Sequence, residues 1–474
     1  MTPLVSAPAV IVLSASVVAQ AVNGRLVSGD PSRVFATIST DSRALPDRAA
    51  CAPALFIALA GPTFDGHAFV PGLIAMGVGG VLVSAPVAAA GATAVIEVPD
   101  TLAALQQLAR HVRRASRARV VAITGSAGKT TTKEMTADLL AATFRVFRNH
   151  GNLNNHIGLP LSLLELRHGA DVAVVELGMN HAGEIRTLVG IAEPDVRVWT
   201  NVGDAHIGHL GSREAIADAK AEILEGASPA SVLVANADDP LIMARIHACA
   251  GRTITFGEHA RADVRAAGIR DHGFDGTSAN VWIGGAVHDV GVPLPGRANL
   301  MNALAAMAVA ADLGVPVADM LPNVAAFQPM PRRGEVTTLA SGARLVDDSY
   351  NASPAALMRA LEALAATPAR RRVAVLGEML ELGDLAAVLH VACGRAVPAA
   401  GVDELIVVGG PAADGLAAGA RAAGLAAAHI HRFADSARAA DAVPALVGAG
   451  DLVLVKGSRG TRTDLVADRL KGRA

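Results

Sequence analysis

The stretch that decides the fold is Val120-Val121-Ala122-Ile123-Thr124-Gly125-Ser126-Ala127-Gly128-Lys129-Thr130-Thr131-Thr132. Apolar and β-branched residues typical of a buried strand lead into a glycine-rich turn, and helical spacing follows from Thr130. Two glycines, a lysine and a threonine match most of a phosphate-binding loop, with two residues rather than four between the glycines: Gly125, Gly128, Lys129 and Thr130. In such a loop backbone N–H groups converge on phosphate oxygens, while the helix N-terminus and the lysine add positive charge. The stretch therefore predicts a nucleoside-triphosphate site in which the Thr130 hydroxyl binds Mg²⁺, the alternative being a plain glycine turn.

Composition limits the class of protein. At 474 residues the chain is long enough for roughly two to four domains. Hydrophobic residues make up 52%, charged residues 18%, and the net charge is −2, so the basic excess of a nucleic-acid-binding protein is absent. Three scattered cysteines form neither a disulfide framework nor a metal-binding spacing, and no apolar run is long enough to span a membrane. We expect a cytoplasmic protein that does not bind nucleic acid.

The pattern of elements changes twice along the chain. Residues 1–100 contain short strands and turns, with polar clusters at 40–43 and 65–67 that suit either a site or ordinary turns. Near-continuous apolar strands alternate with helices over 101–331, which predicts a parallel sheet covered on both faces, and a further αβ alternation occupies 332–474. The sequence therefore predicts an α/β protein of three domains: a small mixed α/β domain, a central P-loop domain and a Rossmann-like C-terminal domain.

Several polar residues follow predicted strands, where ligands of parallel sheets bind. Glu176 ends a buried strand, so its carboxylate predicts a metal or phosphate-bound Mg²⁺, with helix capping as the alternative. His206 also follows a strand end. Lys220, by spacing alone, is a solvated lysine on the polar side of a helix. Three further clusters, at 296–302, 347–354 and 456–460, suit nucleotide or carboxylate binding about as well as caps and surface turns.

Taken in order, these segments resemble the ATP-dependent Mur ligase family along essentially the whole chain. The motifs that carry the resemblance are the loop itself, 152–155, 176–180, 201–206, Lys220, 299–302 and 347–348. The motifs at 40–43, 65–67, 330–335, 348–354, 376–379 and 456–459 are most similar to those of family members that add D-alanyl-D-alanine to UDP-N-acetylmuramoyl-tripeptide. The Asp-Asn-Pro-Arg signature of ligases that add the third peptide residue is absent from the C-terminal region.

The resemblance implies that ATP phosphorylates the tripeptide carboxylate and that the amine of D-alanyl-D-alanine attacks the acyl phosphate. It implies catalytic roles for Lys129, His206 and Lys220, and two Mg²⁺ ions held by Thr130, Glu176, His206 and a carbamylated Lys220. It assigns ATP to the loop residues Gly125, Ser126, Ala127, Gly128, Lys129, Thr130 and Thr131, and to Asn299, Asn302, Arg333 and Asp348. It assigns the other substrates to Ser42, Arg43, Asn154, Asn155, Tyr350, Asn351, Lys456 and Arg459.

By the same resemblance, residues 1–100 hold the UDP end and the C-terminal domain contacts D-alanyl-D-alanine and ATP, in a protein expected to be a monomer. Two alternatives stay open at this point. One is another ligase of the superfamily, such as a different Mur ligase or a folylpolyglutamate synthase. The other is a P-loop ATPase without ligase activity.

Overall fold

The computed structural model describes residues 10–88, 91–149, 151, 153–204 and 207–472, without the side chain of His209. Its internal contacts define two compact units. The first comprises residues 1–265 with 304–320, and the second comprises 266–303 with 321–474. Among the described residues, no helix is both long enough and apolar enough to cross a membrane.

The N-terminal part of the first unit is built on a five-stranded sheet. Its described elements are α1 Ala15–Ala21, β1 Arg25–Ser28, β2 Thr37–Ser39, α2 Arg48–Cys51, β3 Ala54–Ile57, β4 Ala60–Gly61, β5 Phe64–Asp65, α3 Val70–Ala75, β6 Gly80–Val83, β7 Ala94–Glu97 and α4 Thr101–Ser116. The sheet order is β1-β7-β6-β3-β2, in which only β1 runs antiparallel to its neighbour. The carboxyl ends of β2, β3, β6 and β7 therefore share one edge.

Helix α4 links this part to the central sheet. Leu105, Leu108 and Val112 are buried at helical spacing, so one face of the helix packs into the core. Asp100 caps its N-terminus by accepting from the N–H groups of Leu102 and Ala103 at 2.8 and 3.0 Å.

The central part of the first unit contains the parallel sheet that the sequence predicts. Its described elements are β8 Arg119–Thr124, α5 Lys129–Ala141, β9 Val146–Arg148, α6 Gly158–Leu164, β10 Val172–Glu176, α7 Glu184–Ala192, β11 Val196–Trp199, α8 Ile207–Leu210, α9 Arg213–Ala221, β12 Val232–Asn236, α10 Pro240–Met243 and β13 Arg252–Gly257. The strands are ordered β13-β12-β11-β8-β10-β9 and are all parallel. Because β8 is central and almost fully buried, the loop after it opens at the middle of the carboxyl edge.

Three strands that the sequence analysis did not predict follow β13. Strand β14, Val264–Asp271, crosses the boundary between the units, and β15 Thr277–Ile283 pairs antiparallel with β16 Ala286–Val292. Gly284 and Gly285 form the two-residue turn of this hairpin with φ of +62° and +80°, a conformation that glycine adopts without strain. Helices α11 Gly296–Asp312 and α12 Val317–Ala325 come next, and α11 also crosses the boundary.

The C-terminal part of the second unit is a six-stranded α/β sheet. Its elements are β17 Glu335–Thr338, β18 Arg344–Asp348, α13 Pro354–Ala366, β19 Arg371–Gly377, α14 Ala386–Ala396, β20 Glu404–Val408, α15 Asp414–Ala422, β21 Ile430–Phe433, α16 Ser436–Ala442, β22 Asp451–Lys456 and α17 Asp464–Leu470. The order is β17-β18-β22-β19-β20-β21, parallel except for the β17–β18 pair. Because β22 returns between β18 and β19, the carboxyl ends of these three parallel strands lie side by side at one edge of the sheet, where ligands of such sheets bind.

Candidate active site

The loop between β8 and α5 depends on its two glycines. Gly128 precedes α5 with φ of +79° and gives the helix no side-chain cap, so the first N–H groups of α5 remain available to an anion. Gly125 has φ of +154°, and a Cβ there would lie 1.9 Å from the Thr200 hydroxyl oxygen. The loop can therefore adopt this path against β11 only with glycine at position 125.

The residues after β11 hold the loop in place. The Asn201 side chain accepts from the Ala127 N–H at 2.9 Å and donates to the Ala127 carbonyl at 3.0 Å. Ser126 N–H donates to the Asn201 carbonyl at 3.0 Å, and the Ser126 hydroxyl accepts from Gly203 N–H at 2.9 Å. These bonds fix the loop before any ligand arrives, which reduces the ordering cost of binding.

Lys129 begins α5 and lies over the loop, donating from Nζ to the Gly125 carbonyl at 3.0 Å. Thr130 follows it, and its hydroxyl donates to Oε2 of Glu176 at 2.9 Å. Thr131 is half-buried in the same first turn. The structure thus brings the predicted phosphate-loop side chains and the strand-end carboxylate together.

Glu176 is a buried carboxylate, 4% exposed, surrounded by neutral donors. Besides Thr130, Asn154 donates from Nδ2 to Oε1 at 2.8 Å, and Oδ1 of Asn149 accepts from the Glu176 N–H at 3.2 Å. No lysine or arginine forms a salt bridge with Glu176 among the residues that the structure describes. A buried carboxylate that accepts only from neutral side chains is suited to a cation, and because the N-cap of α7 is Gly183, the capping alternative is wrong.

Lys220 lies on α9 and is 1% exposed, so the interpretation of a solvated helix lysine is wrong. Burial lowers its pKa to about 7; the charge of Lys129 acts in the same direction and that of Glu176 opposes it. These effects place Lys220 within electrostatic range of the loop and of the strand-end carboxylate. None of the hydrogen bonds between described residues involves its Nζ. The predicted His206 lies outside the described residues.

A buried lysine and an asparagine that the sequence analysis missed support this arrangement. Lys133 is fully buried on α5, pairs with Glu134 at 2.9 Å and donates to the Asn149 carbonyl at 2.5 Å. The Asn149 side chain donates in turn to the Leu153 carbonyl at 3.0 Å. Asn149 follows β9 at the same sheet edge, and that position was the only signal in the sequence.

Asn155 lies in the turn that leads into α6, where its Oδ1 accepts from the N–H groups of Ile157 and Gly158 at 3.1 and 2.8 Å. Its neighbour Asn154 faces Glu176 instead. A cavity of about 220 Å³ lies beside them, lined in part by Asn155, Gly178 and Glu184.

The two polar clusters of the N-terminal part form turns at the carboxyl edge of its sheet. Asp41 accepts from the N–H of Arg43 at 2.9 Å and pairs with its guanidinium at 2.8 Å, while the Arg43 side chain remains 88% exposed beside the half-buried Ser42. His67 bonds Asp65 through Nδ1 at 2.6 Å and accepts from the Ser84 N–H through Nε2 at 2.9 Å. The ring is thereby tied into the turn. A cavity of about 410 Å³ opens at the same edge, after β6 and β7.

The carboxyl edge of the C-terminal sheet contains an ion pair between a buried lysine and a half-buried aspartate. Lys456 donates from Nζ to Asp348 at 2.6 Å and to the Asn351 carbonyl at 3.0 Å, and its side chain is 4% exposed. Burial raises the pKa of Asp348, whereas Lys456 and Arg333 act against that rise. The Arg333 guanidinium stacks 4.1 Å from the centre of the Tyr350 ring. The structure therefore brings Asp348, Asn351 and Lys456 together, while Arg459 is exposed on the following turn.

Asn299 and Asn302 lie on one turn of α11, in the part of the helix that belongs to the second unit. Asn302 is buried and donates to Oδ1 of Asn299 at 3.3 Å, and Asn299 donates to the Pro295 carbonyl at 2.8 Å. The Asn299 amide is therefore bonded back to the chain just before the helix.

Comparison with known proteins identifies relatives along the whole chain. Three family models match: "Mur ligase family, catalytic domain" at residues 35–113, "Mur ligase middle domain" at 123–310, and "Mur ligase, glutamate ligase domain" at 332–459. UDP-N-acetylmuramoyl-tripeptide–D-alanyl-D-alanine ligase of Bacillus subtilis is 35% identical, over 96% of this chain and 97% of its own length. The enzyme of that name from Escherichia coli is 38% identical, over 82% of this chain and 84% of its own length.

Solved structures give the same result. A MurF structure from Acinetobacter baumannii superimposes with a TM-score of 0.89 and 31% identity, covering 98% of this chain and 99% of that one. MurF of Thermotoga maritima in complex with ADP has a TM-score of 0.78 and 29% identity, covering 92% of this chain and 97% of that one. Folylpolyglutamate synthase of Mycobacterium tuberculosis, at 20% identity and a TM-score of 0.62, shares the fold and covers 79% of this chain and 95% of that one.

Proposed function

This chain belongs to the Mur ligase family of ATP-dependent ligases, and we propose that it joins D-alanyl-D-alanine to UDP-N-acetylmuramoyl-tripeptide in peptidoglycan precursor synthesis. The observation that carries the phosphoryl-transfer chemistry is the buried Glu176 carboxylate, bonded to Thr130 of the glycine loop at 2.9 Å. The choice of substrates is supported by relatives of that name that match nearly the full chain at 35% identity.

The reaction has two steps. The terminal carboxylate oxygen of the tripeptide attacks the γ-phosphorus of ATP, so that ADP leaves and an acyl phosphate forms. The amine nitrogen of the dipeptide then bonds to the acyl carbon, inorganic phosphate leaves with the C–O electron pair, and the nitrogen loses a proton. Lys129 and the first N–H groups of α5 stabilise charge on the transferring phosphoryl group, because positioning and electrostatics dominate such transfers.

The residues present fit Mg²⁺. Thr130 and Glu176 supply a hydroxyl and a carboxylate oxygen, the hard donors that Mg²⁺ prefers. Within the described part of the chain no three histidine, cysteine or acidic residues converge, which suits an ion that takes much of its shell from water and phosphates. Bound there, Mg²⁺ would neutralise phosphate charge. We assign this ion to Thr130 and Glu176, and a second one to His206 and Lys220.

Lys220 acts in this proposal as a carbamate. Its burial and its pKa of about 7 support a neutral amine that adds to CO₂ and becomes an anionic oxygen ligand. The amine nitrogen bonds to the CO₂ carbon and releases a proton, so the conversion replaces a buried cation beside Lys129 by an anion. Charge complementarity with Lys129 and with a bound cation favours that form.

The remaining assignments follow the family. Asn299, Asn302, Arg333 and Asp348 contact ATP, with Asn302 at the adenine edge, Asp348 at the ribose and Arg333 at the phosphates. Ser42 and Arg43 hold the UDP end, where the exposed guanidinium of Arg43 suits phosphate. Asn154 and Asn155 lie near the muramoyl peptide, and Tyr350 and Asn351 also contact substrate. Lys456 and Arg459 serve the reacting carboxylate or D-alanyl-D-alanine. We divide the chain at residues 100 and 331, and we expect a monomer in the cytoplasm.

A phosphate-release assay tests the proposal. With ATP, Mg²⁺ and UDP-N-acetylmuramoyl-tripeptide, we expect turnover that requires D-alanyl-D-alanine and yields the pentapeptide product by mass spectrometry. Turnover with free D-alanine but not the dipeptide would contradict the proposed acceptor. Phosphate release that is independent of any amine would instead favour an ATPase without ligase activity.

A further inference from the structure

At the carboxyl edge of the C-terminal sheet, Glu378 is a carboxylate without a cation. It follows β19, is half-buried, and holds the Gly410 N–H through Oε2 at 2.8 Å. Among the described residues no lysine, arginine or histidine pairs with it. The neighbouring acids differ in this respect, because Asp348 pairs with Lys456 and Asp347 pairs with Lys471.

On the other side of β19, Arg459 is a cation without an anion. It begins the turn after β22 and is exposed, and no described carboxylate pairs with its guanidinium. This turn is fastened to the Glu378 backbone, whose carbonyl accepts from the Ser458 N–H at 3.2 Å and the Thr461 hydroxyl at 3.0 Å. The two opposite charges are therefore held on one framework.

An apolar side chain lies at the same edge. Leu380 is 41% exposed, and its N–H donates to the Ser458 hydroxyl at 2.9 Å. A Cβ at Gly460 would come within 2.7 Å of the Leu380 side chain, so Leu380 covers the turn next to Arg459.

We propose that Glu378, Leu380 and Arg459 form the subsite for the acceptor dipeptide, with Glu378 binding its ammonium group and Arg459 its carboxylate. The spacing fits the dipeptide. Strands β20 and β22 flank β19, and Gly410 follows β20 whereas Arg459 follows β22. Because neighbouring strands are about 4.8 Å apart, the backbone at Gly410 and that at Arg459 are roughly 9.5 Å apart. An extended dipeptide spans roughly 7 Å, and contacts of the two charged side chains bridge the rest. Leu380 then packs against the alanine methyl groups.

The same geometry separates the roles of the two cations after β22. Lys456 already donates hydrogen bonds to Asp348 and to the Asn351 carbonyl, and its side chain is buried. Removing it from these partners to bind a substrate carboxylate would break its 2.6 Å ion pair and leave the half-buried Asp348 without its cation, which is unfavourable. No described carboxylate pairs with Arg459, so Arg459 is the residue that binds the acceptor carboxylate.

This assignment rests on the proposed acceptor, and steady-state kinetics test it. With ATP and UDP-N-acetylmuramoyl-tripeptide saturating, we expect Glu378→Gln to raise the KM for D-alanyl-D-alanine at least tenfold, because a hydrogen bond between charged groups is lost. The KM values for the other two substrates should stay within twofold. The glutamine oxygen still accepts from the Gly410 N–H, so a merely structural role predicts no change. Glu381→Gln, which removes the same charge from an exposed position three residues away, is the matched control.

Inhibition by D-lactoyl-D-alanine, which has a hydroxyl group in place of the ammonium group, gives a second measurement. The wild-type protein should bind the dipeptide at least tenfold better than this analogue, and Glu378→Gln should lose that preference. An unchanged preference, a dipeptide KM within twofold of wild type, or an equal effect of Glu381→Gln would overturn the assignment. A wild-type protein that releases no phosphate with D-alanyl-D-alanine would refute the proposed function itself, so the two failures are distinguishable.

Discussion

Replacing Lys220 by methionine tests the electrostatics of the site most directly. Burial lowers the pKa of Lys220 from 10.5 to about 7 in the folded protein. At pH 7 about half of these side chains are therefore neutral amines, compared with about one in 3,000 for a lysine with an ordinary pKa. Because only the neutral amine adds to CO₂, burial favours carbamylation at neutral pH by about three orders of magnitude.

The same pKa fixes the sign of the stability effect. In the unfolded chain Lys220 keeps its ordinary pKa, so between pH 7 and pH 10.5 the unfolded state binds more protons than the folded one. The unfavourable contribution of Lys220 is fully present below pH 7 and is relieved as the pH rises. The free energy of unfolding should gain about 1.4 kcal/mol per pH unit from this group, reaching about 5 kcal/mol across the window.

The assay combines unfolding and NMR. In bicarbonate-free buffer at pH 6.5, the free energy of unfolding of Lys220→Met should exceed that of the wild type. This excess should shrink by about 1.4 kcal/mol per pH unit as the pH rises above 7. In ¹³C-bicarbonate, the wild-type protein should show one carbamate carbon signal that the variant lacks. Lys133 and Lys471 serve as internal controls, because both are buried but paired with carboxylates. A difference that does not change with pH, or a carbamate signal that survives in Lys220→Met, would refute this reasoning.

Three further substitutions test the loop and its support. Thr130→Val removes the hydroxyl that donates to Glu176 at 2.9 Å and keeps the shape of the side chain. We expect kcat/KM to fall roughly tenfold or more and the Mg²⁺ requirement to rise, both measured by phosphate release over a Mg²⁺ titration. Gly125→Ala would set a methyl group 1.9 Å from the Thr200 hydroxyl oxygen, so ATP binding by calorimetry should be lost, and retention of wild-type affinity would contradict the loop geometry. Asn149→Ala leaves the Glu176 N–H without its acceptor, which should lower the free energy of unfolding by about 1–3 kcal/mol in a denaturant titration; an unchanged midpoint would show that the bond is dispensable.

The sequence predicted local features well because their causes are local. The run of buried residues before Gly125 and the helical spacing after Thr130 suffice to predict β8 and α5, and both are confirmed. Glu176 could be assigned to the site because the end of a parallel strand fixes the sheet edge at which it lies. The mixed α/β class and the family resemblance are likewise confirmed by the comparisons.

Features that depend on distant packing could not be predicted in this way. The polar face of α9 looks solvated in sequence, yet Lys220 and the neighbouring Glu222 are buried. Glu222 accepts from the N–H groups of Gly183 and Arg186 at 2.7 and 3.0 Å, which explains part of that burial. The bond from Lys133 to the Asn149 carbonyl joins residues sixteen positions apart, and no spacing rule reveals it.

These buried charges determine which charged ligands the central site binds. Among the described residues neither Glu176 nor Lys220 forms a salt bridge, although their charges act on each other, and Glu176 ends β10 at the edge where α5 presents its uncapped N–H groups. In the protein alone each costs free energy, because a buried charge is stable only when paired. In the proposed function, a carbamate at Lys220, a divalent cation and a nucleotide phosphate would together supply the missing charges, so each should bind more tightly in the presence of the others. The affinity for ATP measured with Mg²⁺ should therefore fall when bicarbonate is removed, and it should do so in the wild type but not in Lys220→Met.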